Sequence, residues 1–152
     1  MKEKNKKLTL LIVICICTLG ILFGALKINE IRNNEMLSKS VVSNYLHEIK
    51  YDGLNDHIVE EPNTIIYVSN SSKKESIKFE KKFKKVIEKY NLESEIVFIN
   101  INNTYIIDPI YQNAPNLIFY NKGELNDIVD CTNLKTKKSI IKIFEERGII
   151  ND

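Results

Sequence analysis

Tryptophan is absent from this 152-residue chain, and glycine occurs only five times, proline three times and histidine twice. Each shortage removes a class of chemistry. The scarce glycines form no P-loop, no dinucleotide fingerprint and no nucleophile elbow, motifs that need glycine where backbone meets a phosphate or turns sharply. The two histidines, His47 and His57, are not followed by further ligands at metal spacing. A zinc site therefore has no natural set of residues, and neither a metal nor another cofactor is expected. Of three cysteines, Cys15 and Cys17 lie inside an apolar stretch and Cys131 stands alone. A solitary thiol of this kind is more often a buried filler than a catalyst, although in an exported domain it could form an intermolecular bond. A charge excess is lacking too, with 22 Lys and Arg against 20 Asp and Glu. The lysines between positions 73 and 89 are interrupted by Glu75, Glu80 and Glu88, which reads as a solvated helix face and not as a nucleic-acid patch.

What the chain does have begins at its N-terminus. Residues 8–26 form an uncharged apolar run, close to the roughly 20 helical residues that cross a hydrocarbon core. Lys2, Lys4, Lys6 and Lys7 precede it, and a mixed set of Lys27, Glu30, Arg32 and Glu35 follows. The positive-inside rule then places residues 1–7 in the cytoplasm and the rest of the chain outside. A signal peptide begins with the same pattern, but Phe23-Gly24-Ala25 is a poor cleavage site and the run is long. An uncleaved single-pass anchor is the expectation. Gly20 and Gly24 form a G-x-x-x-G pair, too common a pattern to predict a dimer. Residues 27–43 are polar with scattered apolar positions and read as a stalk or linker.

Beyond the stalk the hydrophobic pattern alternates between strand and helix. Residues 64–68 are a β-branched strand, and from 73 to about 90 Phe79, Phe83, Val86, Ile87 and Tyr90 recur at helical spacing. Residues 95–101 are a second buried strand. A Pro-led strand follows at 114–124, closing in an Asn-Lys-Gly turn, and 125–129 gives its return. Residues 135–147 form a closing helix with Ile140, Ile141, Ile143 and Phe144 on one face.

This order, with the Ala114-Pro115-Asn116 entry to the third strand, resembles the thioredoxin fold. The stretch from Tyr67 to Phe79 is most similar to the membrane-anchored, thioredoxin-like bacteriocin transport accessory proteins of low-GC Gram-positive bacteria. His47-Glu48-Ile49-Lys50 and residues 52–58 resemble the first strand and helix of that group, so the likeness covers about residues 44–150. The resemblance implies an α/β fold, a thioredoxin-like three-layer sandwich around a central mixed sheet, preceded by one N-terminal transmembrane helix. It also implies that Pro115 is the cis-proline facing the active-site loop. In these relatives a Cys-x-x-Cys usually stands where this chain has Lys73 and Ser76.

The substitution has chemical consequences. Disulfide exchange needs a thiolate activated at the helix start and a second thiol to resolve the mixed disulfide. Lys73 and Ser76 can supply neither. Ser72-Lys73-Lys74-Glu75 reads instead as a capping box, with Ser72 and Glu75 meeting the first amides of the helix. A Schiff-base role for Lys73 is disfavoured by its polar surroundings beside Lys74.

The groove survives the loss of the thiols. The resemblance implies a peptide-binding surface formed by Ala114, Pro115 and Asn116 opposite Ser72, Lys73 and Ser76, where an extended chain pairs by main-chain hydrogen bonds. The expected function is a membrane-tethered, redox-inactive accessory or binding protein, with an exported peptide, a transporter or another envelope protein as partner and no nucleic acid. A divergent thiol oxidoreductase using Cys131 or a partner's cysteine is the enzymatic alternative. A purely structural envelope subunit is the third.

Overall fold

The computed structural model describes residues 13–28, 39–102, 104 and 106–151. Residues 13–28 are helical and belong to one compact unit. Apolar side chains along that helix are exposed, among them Ile21 and Phe23, both 72% accessible. Among the described residues no helix is long and apolar enough to cross a membrane. The expected anchor at 8–26 is only partly covered, since residues 8–12 lie outside the described ones, as does much of the expected stalk.

The second unit is a mixed α/β structure around one five-stranded sheet. In chain order it holds β1 (His47–Glu48), α1 (Leu54–Glu60), β2 (Ile65–Ser69), α2 (Lys74–Tyr90), β3 (Ile96–Asn100), α3 (Pro109–Gln112), β4 (Asn116–Asn121), β5 (Glu124–Asp130) and α4 (Lys137–Glu145). Short 3-10 turns precede α1 and follow β5. Across the sheet the strands run β1-β3-β2-β4-β5. The first three are mutually parallel, while β4 is antiparallel to β2 and β5 antiparallel to β4.

The strand sequences explain their positions. β2 is buried at all five residues, and β3 and β4 are buried at four each, as expected of apolar, β-branched runs covered on both faces. β5 alternates exposed and half-buried residues because it lies at the sheet edge. It returns from β4 through a two-residue turn in which Lys122 and Gly123 both take positive φ, 54° and 79°, the geometry that matches the twist of a tight hairpin.

Helices cover both faces. On one face Tyr67, Phe98, Leu117 and Phe119 of the sheet pack against Phe79, Phe83 and Ile87 of α2 and Phe144 of α4. Phe83 is the centre of that layer, 5.2 Å from the Tyr67 ring, 5.0 Å from Phe79 and 6.1 Å from Phe144. On the other face Ile66, Val68, Ile99 and Ile118 meet Leu54 of α1 and Tyr111 of α3. The turn at 40–46 also enters the first core through Val42 and Leu46, so the folded unit reaches back ahead of residue 44, where the sequence pattern begins.

Both long helices end as their sequences dictate. α2 stops at Asn91, whose left-handed φ of 53° lets its N–H bond the Ile87 carbonyl, a common close for a helix. α4 opens with Thr136 and Ser139 capping each other's backbone amides reciprocally.

Candidate functional site

The register places the candidate residues at one end of the sheet. Val68 pairs with Asn116, so the chain leaving β2 through Ser69 and the chain entering β4 through Pro115 emerge side by side. The Ala114–Pro115 bond is cis, as the resemblance implies. Pro115 and Asn116 are buried. Asn116 is already paired on both sides, with Val68 and with Asp130, and Pro115 accepts a bond from the Cys131 amide at 2.9 Å. Ala114 and Pro115 both precede the paired strand, and of the three only Ala114 is half-buried.

Opposite them, the loop after β2 is closed by its own polar groups. Asn70 Oδ1 accepts from the Ser72 amide at 3.1 Å and from the Ser72 hydroxyl at 2.6 Å. The Lys73 amide donates to the Asn70 carbonyl, and the Asn70 amide donates to Ser76 Oγ at 3.3 Å. Ser71 is tied to Asn100 of β3 in both directions. The capping box read from Ser72 and Glu75 is not formed. Lys73 is the cap residue and makes no side-chain cap, because the nearby Asn70 carboxamide engages Ser72 first. Ser76 is fully buried under the loop, whereas Ser72, Lys73 and Glu75 are exposed.

Beneath the loop lies a feature the sequence pattern does not announce. Glu80 is fully buried, not a member of a solvated basic face. Its Oε1 accepts from the Tyr67 hydroxyl at 3.2 Å and from the Ser69 hydroxyl, and its Oε2 accepts from the Val41 amide at 2.6 Å. No cation pairs with it among the described residues. Charge-assisted bonds from neutral donors replace the lost hydration. Burial, and secondly the Glu80 carboxylate, push the Tyr67 phenol well above its ordinary pKa, so it stays a donor. The signal for Glu80 was helical spacing. Ser76, Glu80, Phe83 and Ile87 all fall on the buried stripe of α2, and a carboxylate at that phase must find donors inside.

Cys131, the lone thiol of the folded unit, follows β5 in a short 3-10 turn. It is 1% exposed and directly adjoins the Pro115 carbonyl through its amide. Burial raises its thiol pKa far above the ordinary range, which disfavours a nucleophilic thiolate. It forms part of the floor of a cavity of about 240 Å³ between α2 and the turn after β5, lined also by Glu75, Lys78, Phe79, Lys82, Thr132, Leu134 and Lys135.

No family model matches this sequence, and no curated protein matches it.

His47 and His57 line a separate cavity of about 320 Å³ with Glu61, Glu93 and Glu95. Among the described residues no three His, Cys, Asp or Glu side chains converge as a metal site would require. His57 Nε2 lies 3.1 Å from Thr64 Oγ1.

Proposed function

We propose that this chain is a membrane-tethered, redox-inactive thioredoxin-like protein that acts outside the cytoplasmic membrane as an accessory or binding module, in the handling of an exported peptide such as a bacteriocin. The observation that carries the reading is the loop after β2. Lys73 and Ser76 occupy the two positions at the start of α2 that thiols would need, and Ser76 is buried and bonded to Asn70. The strand order, with three parallel strands followed by an antiparallel pair, is the one a thioredoxin-like three-layer sandwich requires. The exposed apolar helix at 13–28 is consistent with a membrane anchor, since water-exposed apolar surface of that extent marks an interaction site. In this reading Ala114 and the exposed Ser72 and Lys73 line a groove that takes an extended peptide by strand pairing.

The adjacency of Cys131 to Pro115 favours one competing reading, a thiol oxidoreductase that uses this residue. Its burial and raised pKa argue against that role. Capture of tagged full-length protein from mildly solubilised membranes, resolved without reductant beside Cys131→Ser, separates the two. Partners retained by both versions support a non-covalent binding role. Disulfide-linked partners lost with Cys131, or insulin reduction faster than that of Cys131→Ser, would overturn it.

A further inference from the structure

We infer that the cavity floored by Cys131 and Phe79 is a carboxylate subsite of the groove, selecting extended peptides that present an acidic side chain or a free C-terminus. The inference rests on the peptide-binding reading above and adds the chemistry of the peptide.

Three lysines line the cavity, Lys78, Lys82 and Lys135, against one carboxylate, Glu75. None of the three takes part in an ion pair among the described residues. Two of them are held in place by backbone. Lys82 Nζ donates to the carbonyls of Leu134 at 3.3 Å and Lys135 at 3.1 Å, and Lys135 Nζ donates to the Thr132 carbonyl at 2.7 Å. An ammonium has three N–H donors, so Lys82 keeps one and Lys135 two for an incoming group. Their charges are fixed before any ligand arrives, which lowers the ordering cost of binding. Lys78, one turn from Lys82 on the same helix, is exposed and makes no bond among the described residues.

The floor is apolar, formed by the Phe79 ring and the neutral thiol of Cys131, both at most 2% exposed. A charge that enters sheds water against that floor while meeting the lysine donors at the rim. Opposite charge is favoured there and a second cation is repelled. Continuity with the groove comes through Cys131, whose amide bonds the Pro115 carbonyl. Ala114 immediately precedes Pro115, so the groove entry and the cavity share the Pro115–Cys131 contact. The volume, about 240 Å³, suits one side chain or chain end.

The test uses full-length protein in detergent and fluorescein-labelled nonapeptides of one β-prone sequence, read by polarisation. One peptide carries an internal Glu and an amidated end, a second has Gln there with a free carboxyl end, and a third has Gln and an amidated end. At low salt at least one carboxylate peptide is expected to bind about tenfold tighter than the neutral one, the effect of one charged hydrogen bond. Which of the first two wins identifies the source of the carboxylate. The preference should shrink in 1 M salt, where the Debye length falls to about 3 Å, and disappear in Lys78→Gln, Lys82→Gln, Lys135→Gln. Equal binding of all three peptides, blocked by Ala114→Trp, would overturn the subsite and leave the groove intact. Binding of none would overturn both. A preference that survives the triple lysine variant would place the carboxylate elsewhere and sink the assignment.

Discussion

Replacing Glu80 by Ala removes the acceptor that Tyr67, Ser69 and Val41 share. Three donors then face a void. A buried donor left without a partner costs about 1–3 kcal/mol, and Tyr67 and Ser69 are both fully buried. The two hydroxyls can turn toward each other and Val41 is only half-buried, so the costs do not sum in full. Removing the carboxylate also removes its own desolvation penalty. The net expectation is a loss of about 2–4 kcal/mol, less than the full sum for three unsatisfied neutral donors, against a total stability of about 5–15 kcal/mol for a domain. Glu80→Gln should cost less, because one oxygen still serves both hydroxyls while the amide N–H₂ now confronts the Val41 N–H. Urea unfolding of the full-length chain by far-ultraviolet circular dichroism measures both variants. Amide exchange at Val41 should accelerate in each. A Glu80→Ala midpoint within error of the native one, with an unchanged slope, would falsify the claim that this carboxylate organises the interior. A triple variant, Tyr67→Phe, Ser69→Ala, Glu80→Leu, removes donors and acceptor together and should lie close to native stability or above it.

Other consequences are as direct. Phe83→Ala should destabilise the chain by about 3–5 kcal/mol, because its ring joins α2 to both Tyr67 and Phe144; thermal or urea unfolding reads this. Gly123→Ala meets no atom within 4 Å, yet its φ of +79° is costly for any residue with a Cβ, so a loss of about 1 kcal/mol is expected from backbone alone. Cys131 should resist alkylation by iodoacetamide in the folded chain and react at the rate of a free thiol in 8 M urea, because the folded thiol is buried and its pKa is raised. Burial raises the folded pKa of both Cys131 and Tyr67. Their contribution to stability is therefore complete below their unfolded pKa values, about 8.5 and 10, and is lost as pH rises past them. Unfolding free energy should decline from about pH 9 upward, and Cys131→Ala should flatten the first part of that decline.

Much of the fold was legible because its signals are local. The β-branched run at 64–68 marks β2 to within one residue, and the stripe of Phe79, Phe83, Val86 and Ile87 marks α2. The Asn-Lys-Gly turn marks the hairpin because few sequences tolerate two positive φ values in succession. The site was less legible, since it depends on which groups meet across the chain. Ser72 reads as a cap in isolation, but Asn70 stands two residues earlier and takes its hydroxyl. Glu80 looks solvated when charges alone are counted, and only its phase on the helix places it inside. Cys131 adjoins Pro115 because β4 and β5 pair in a register that brings Asp130 opposite Asn116, a relation no local pattern contains.

The order of the strands also governs how this molecule behaves beside copies of itself. The sheet has two ends, β1 and β5. The first is two residues long, too short to template another chain. The second runs seven residues and carries Glu124 and Asp130 at its two ends, so two such edges brought together antiparallel would set acid against acid. Brevity on one side and repulsion on the other guard against edge-to-edge aggregation. That protection matters most for a protein held at high density, where neighbours meet far more often than in dilute solution.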